Sequence, residues 1–189
     1  MNITLFGGSF NPPHLGHQLA ISQAFEFIPS IQEIWLLIEN QHSFNKDLAP
    51  SKHRLKMTRS LLNHKVKLQT CCLDQNMSGN TIEHLAYLEK TYPQHTFSFL
   101  LGSDNLASFY KWPQYKALLN KLTFYIYPRA GFPLKPLYRQ MKPINHPLQI
   151  ITSISSTMIR KRLQNNLPIK SLIPQKVYQY LKQNQPYLT

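Results

Sequence analysis

Two histidines three residues apart, His14 and His17, follow the paired glycines Gly7 and Gly8 across the turn-rich run Ser9-Phe10-Asn11-Pro12-Pro13. Paired glycines after a strand let backbone N–H groups approach an anion closely. A helix that follows turns its positive end toward phosphate. If both histidines lie in the first helical turns they share a face and reach one group of oxygens. Two imidazoles so placed can contact phosphate and stabilise charge that moves during phosphoryl transfer. The run is neither the G-x-G-x-x-G dinucleotide fingerprint nor a Walker A loop. H-x-x-H also suits zinc, but here it has no cysteine or carboxylate company, and no metal site is expected. An isolated histidine is more often structural; the position between a glycine turn and a helix favours the phosphate reading.

A second cluster, Ser155-Ser156-Thr157 followed by Arg160, lies near the other end of the chain. One hydroxyl caps a first helical turn while the others reach an anion. Arg160, three residues past Thr157, falls on the same side. Alone this is the pattern of a well-capped basic helix. Beside the first cluster it reads as a second grip on a triphosphate. No nucleophilic triad is visible.

The elements that must position these groups alternate. "NITLF" reads as a short buried strand, and a helix from His14 or Leu15 ends before Pro29. "EIWLLI" (Glu33 to Ile38) is a second buried strand, and "KVKLQT", "HTFSFLLG" and "KLTFYIYPR" are a third, fourth and fifth. Helices are predicted from Pro50 or Ser51 to Leu62, from Asn80 or Thr81 onward, and in "WPQYKALLN". "LQIITS" is a candidate sixth strand, and "AGFPLKPLYRQMKPINHP" reads as an irregular surface excursion. Two short helices separated by Pro168 and Pro174 close the chain. This alternation predicts an α/β, Rossmann-like, doubly wound parallel sheet. It is one domain over 1–189, with a helical C-terminal part over about 153–189. Such sheets bind ligands at the carboxyl ends of their strands. The first cluster and "LLGSDN" both sit there.

Composition sets the bounds. The chain has 189 residues, 42% of them hydrophobic, which is enough for a core without staples. Its two cysteines are the neighbours Cys71 and Cys72, which suit neither a structural bridge nor a zinc site and point to a reduced compartment. The start does not resemble a signal peptide, and no apolar run approaches the ~18 residues of a membrane helix. A cytoplasmic protein without a membrane partner is expected. Net charge is +13, unevenly placed: all eight acidic residues lie between Glu26 and Asp104, and the last 79 residues hold thirteen Lys and Arg. That balance suits polyanionic partners, whether nucleic acid, membrane surface or phosphorylated small molecules, and equally a solvated basic face.

"GGSFNPPHLGH" and "ISSTMIR" match the two signatures of the H-x-G-H nucleotidyltransferase superfamily, and the whole chain resembles the bacterial nicotinate-nucleotide adenylyltransferases. "NTIEHL", "LLGSDNLASFYKW", "YPRAG" and "LIPQKVYQYLKQNQPYL" extend the resemblance over nearly the full length. It implies AMP transfer from ATP to nicotinate mononucleotide, giving deamido-NAD and pyrophosphate. His14, His17 and Arg160 would be catalytic. Gly7, Gly8, Ser9, Phe10, Gly102, Asp104, Ser155, Ser156 and Thr157 would join them around ATP. Phe10, Asn11, Lys46, Thr81, Trp112 and Arg129 would hold the mononucleotide, with Trp112 stacking on its ring. Magnesium would ride on the ATP phosphates, since no dense carboxylate cluster is present to hold it.

Three departures bear on the acceptor. Asn11 stands where bacterial members commonly have aspartate, and resembles the G-S-F-N-P form of nicotinamide mononucleotide enzymes. "ENQHSFNKD" replaces a proline-rich loop, and Asn80 replaces a tyrosine. The alternatives are therefore nicotinamide mononucleotide or another phosphorylated acceptor, phosphopantetheine and cytidylyl transfers among them. Outside enzymes, a basic RNA-binding protein or an inactive regulatory protein on the same fold remains. No recognised nucleic-acid motif supports the RNA reading.

Overall fold

The computed structural model describes residues 1–39, 48–75 and 77–187. Six parallel strands form one sheet in the order β3-β2-β1-β4-β5-β6: β1 (Asn2–Gly8), β2 (Glu33–Ile38), β3 (Val66–Gln69), β4 (Thr96–Gly102), β5 (Thr123–Tyr127) and β6 (Met141–Pro143). The doubly wound order predicted from the alternation is present. β1 pairs with β2 on one side and β4 on the other, so the strand order reverses between β1 and β4.

β2 shows why this sheet needs cover on both faces, because Ile34 through Ile38 are all buried. Successive side chains alternate in direction. Trp35, Leu37, Ile3, Leu5, Phe99, Leu101, Phe124 and Ile126 face one layer. There they meet Leu85 and Leu88 of α4 (Thr81–Thr91) and Leu118 and Leu119 of α5 (Tyr115–Lys121). Ile34, Leu36, Ile38 and Leu100 face the other, against Ala20, Ile21 and Ala24 of α1 (Leu15–Phe27). A third cluster joins Met57 of α2 (Ser51–Thr58) to Ile159 of α6 (Ser156–Gln164) and Val177 and Leu181 of α7 (Gln175–Asn184). The C-terminal helices thus dock on α2, away from the sheet's own two layers. α3 (Cys71–Asp74) is a single turn.

The sixth strand is displaced from its expected place. "LQIITS" forms no strand, and Ile150 and Ile151 are exposed. The Ile150 backbone is engaged instead by Gln23: Ile150 N–H donates to Gln23 Oε1 at 2.7 Å, and Gln23 Nε2 donates to Ile150 O at 3.0 Å. The pairing partner of β5 is Met141–Pro143, inside the stretch read as an irregular excursion. Met141 is buried, and an edge position tolerates the missing N–H of Pro143. A 3₁₀ segment over Ser103–Lys111 occupies a stretch to which the sequence assigned no element, and the helix expected to reach Leu62 ends at Thr58 in a 3₁₀ turn to Leu61.

Candidate active site

The strand reversal opens a cavity of about 250 Å³ at the carboxyl ends of β1, β4 and β5. Gly7, Gly8, Ser9, Phe10, Asn11, His14 and His17 line it from the first cluster. Ser155, Ser156, Thr157 and Arg160 line it from the second, and Gly102, Asp104, Trp112 and Arg129 from between. Of the residues expected from sequence, Thr81 opens α4 and is not part of this lining. Lys46 lies outside the described residues.

The glycines at the strand end permit close packing: a Cβ on Gly7 would stand 2.9 Å from the Phe99 ring. Phe10 then takes a left-handed backbone, φ +44°, rare for an aromatic residue. Its buried ring sits 5.8 Å from Phe6 and 4.9 Å from His17. Trp112 meets Phe99 edge-on at 5.8 Å.

His14 caps α1 and its ring lies 3.8 Å from that of His17, centroid to centroid. His17 Nδ1 accepts from the His14 backbone N–H at 3.2 Å. That N–H can only donate, so Nδ1 carries no proton and the neutral ring bears its proton on Nε2. His14 Nδ1 is buried with no hydrogen-bond partner among the described residues. Burial lowers both imidazoles. His17 adds its repulsion on His14, Arg129 adds to both, and His17 falls to about 3. Both rings are therefore neutral donors near pH 7.

The glycine between the histidines has a packing cause. A Cβ on Gly16 would stand 2.9 Å from His14 Nδ1 and 3.0 Å from the Ile154 carbonyl oxygen, so this backbone is pinched between the two signatures.

The signatures are also bonded together. Ser156 Oγ donates to Pro12 O at 2.8 Å, and Arg160 Nη1 donates to Asn11 O at 2.8 Å. Ser155 Oγ accepts from Met158 N–H at 3.2 Å and caps α6, which leaves its own proton available. Arg129 N–H donates to Ser103 Oγ at 2.9 Å, and its Nε lies 4.0 Å from Asp104 Oδ1. Asn11 is buried, with Oδ1 accepting from Ala49 N–H at 3.2 Å and from Tyr187 Oη at 2.8 Å.

Sequence reasoning did not single out Arg54 of α2, a buried guanidinium. It donates to Ala49 O at 2.9 Å, Ser9 O at 3.2 Å and Glu39 O at 2.7 Å. Burial lowers its pKa, against Glu39 and Tyr187. It was one of 21 cations in the sequence, and nothing local marked it. Gly16 did carry a signal, as the third residue of His-Leu-Gly-His.

Two segments that carry the H-x-G-H and I-S-S-T-M-I-R signatures, brought together at the switch point of a Rossmann-like sheet, mark the chain as a nucleotidyltransferase. Residues 5–162 match the family described as cytidylyltransferase-like. The nicotinate-nucleotide adenylyltransferase of Bacillus subtilis (strain 168) is 32% identical over 190 residues, spanning 98% of this chain and 97% of its own. Plasmodium falciparum nicotinic acid mononucleotide adenylyltransferase complexed with NaAD superposes with a TM-score of 0.84 at 27% identity, over 98% of this chain and 97% of that one. The same protein complexed with APC superposes at 0.81, also at 27% identity, over 98% and 96%. The chain belongs to the cytidylyltransferase-like family and, within it, to the nicotinate-nucleotide adenylyltransferases.

Proposed function

We propose that this protein transfers AMP from ATP to nicotinate mononucleotide, forming the deamido dinucleotide and releasing pyrophosphate. The observation that carries the reading is the convergence of His14, His17 and Arg160 on one switch-point cavity, in a chain that matches these enzymes along almost its whole length.

A phosphate oxygen of the mononucleotide attacks the α-phosphorus of ATP, and the bond from that phosphorus to the β-bridging oxygen breaks. The nucleophile is largely ionised already, with its second pKa near ~6, so no strong base is required. Catalysis then consists of alignment and of donors aimed at charge that builds on the leaving pyrophosphate. The Nε2–H of His17 supplies one donor, Arg160 a fixed charge, and the N-terminus of α6 and the Ser155 hydroxyl two more. Trp112 and Arg129 face the pyridine mononucleotide, and Gly102 and Asp104 the adenosine. Among the described residues no three His, Cys, Asp or Glu side chains gather to hold a metal. In this reading magnesium enters with the substrate, as MgATP, carried on the phosphates. The two cysteines are sequence neighbours, which favours a reduced, cytoplasmic setting over a structural bridge, and no helix among the described residues is long and apolar enough to cross a membrane.

Asn11 gives the amide-accepting alternative little support, because its Oδ1 already serves two protein donors. The test is pyrophosphate release from MgATP with nicotinate mononucleotide, nicotinamide mononucleotide or phosphopantetheine. The nicotinate form should be strongly preferred, and preference for either other acceptor overturns the assignment. His17→Ala should lower kcat by about 10²–10³, as losing one such donor does, with circular dichroism unchanged.

A further inference from the structure

We propose that Tyr187, the third residue from the chain's end, is a positioning residue for the triphosphate site and acts through Asn11 on Arg160. The proposal rests on the assignment of Arg160 to the triphosphate made above.

The tail reaches this point by a defined path. α7 ends at Asn184, and Gln185 takes a left-handed conformation, φ +42°, that turns the chain out of the helix. Val177 and Leu181 of α7 pack in one cluster with Ile159 of α6 and Met57 of α2. The tail is thus mounted on the same body that carries Arg160 and Arg54.

From there the Tyr187 hydroxyl lies 2.8 Å from Asn11 Oδ1, across 176 residues of sequence. The direction of the bond is fixed by its neighbour. The Ala49 N–H, 3.2 Å from the same atom, can only donate, so that atom is the amide oxygen and the phenol must be the second donor. Burial holds the phenol protonated, above its ordinary range, despite nearby Arg160 and Arg54.

Asn11 in turn supplies the carbonyl that receives Arg160 Nη1 at 2.8 Å. Its side chain is therefore held from the C-terminus while its backbone holds the guanidinium. Asn11 also precedes Pro12, whose carbonyl receives Ser156 Oγ. A shift of this residue moves the anchor of the charged group that faces phosphate, and electrostatic stabilisation depends steeply on such placement.

The experiment is calorimetric binding of MgATP to the full chain in four forms: native, Tyr187→Phe, Arg160→Ala and the double variant. Tyr187→Phe keeps the ring and removes only the donor, so its melting temperature should fall by no more than about 4 °C. By displacing Arg160 from its place it should weaken MgATP binding roughly tenfold, which corresponds to about 1.4 kcal/mol. In the Arg160→Ala background it should weaken binding no further. Asn11→Ser removes the acceptor from the opposite side, and should reproduce both results even if the Tyr187 variant folds poorly. Equal weakening in both backgrounds overturns the proposal, as does native affinity in folded Tyr187→Phe. If Arg160→Ala alone binds MgATP normally, the triphosphate assignment falls and the tail's role falls with it. If that variant binds weakly while Tyr187→Phe is unaffected, only the tail's role falls.

Discussion

Three imidazoles, of His14, His17 and His84, are lowered by burial below the ordinary histidine range, and the first two line the cavity while His84 lies in α4. The sign of the consequence is fixed. Below the unfolded value near ~6.5 the unfolded chain takes up protons that the folded chain refuses, so stability falls as pH drops. Each such group contributes a slope of up to about 1.4 kcal/mol per pH unit in that window. His84 isolates the effect, because it lies outside the cavity and its Nε2 is buried without a hydrogen-bond partner among the described residues. His84→Leu should lose less stability than the native chain between about pH 7 and pH 5, read from urea midpoints, with kcat unchanged at pH 7. Parallel pH profiles would show that His84 already titrates normally in the folded state. At this scale the sequence pointed to residues that the structure gathers at the cavity where the signal lay in near neighbours, as for His14, His17 and Arg160. It was silent where partners are remote: Arg54 holds the Ser9 carbonyl 45 positions away, and Tyr187 holds Asn11 across 176.

Among the elements, α6 combines two duties in one residue. Ser155 accepts the Met158 N–H as helix cap and keeps its own proton free toward the cavity. The duties separate by substitution, since glycine replaces a serine cap at a cost of only a few tenths of a kcal/mol whereas alanine costs about 1. Ser155→Ala should therefore lower stability by about 1 kcal/mol and Ser155→Gly hardly at all, while both weaken MgATP binding to the same extent. Weakening confined to the alanine variant would assign Ser155 to the cap alone. The cap was visible in the sequence because capping is local. β6 was not, because three residues ending in proline carry no periodicity, and their strand character comes only from the β5 backbone beside them. "LQIITS" carried the stronger β-propensity, but Gln23 and the Tyr127 hydroxyl, which donates to Ile150 O at 3.0 Å, take up its backbone groups at Ile150. Side chains on other elements overrode propensity there.

Across the whole molecule the charge is far more basic than the cavity requires. Net charge is +13, yet among the described residues only Arg129 and Arg160 supply lysine or arginine to the cavity lining, opposite Glu39 and Asp104. Eleven further cations of the last 79 residues lie elsewhere on a stretch without a single acid. Both substrates in the proposed reaction are anions, so a distributed positive field of this kind acts on capture rather than on the chemical step. Screening then separates the two contributions, because the Debye length shrinks to about 10 Å at 0.1 M salt. The field of distant surface cations is largely lost there, whereas groups that touch the phosphates are screened much less. Raising sodium chloride from about 50 to about 300 mM should lower kcat/KM for MgATP several-fold and leave kcat within about twofold. A fall in kcat of the same size would place the salt-sensitive interaction inside the cavity. A flat kcat/KM would exclude the distal cations from substrate capture. Their remaining use would then be a polyanionic partner, and single-stranded RNA binding with a steep salt slope would identify one.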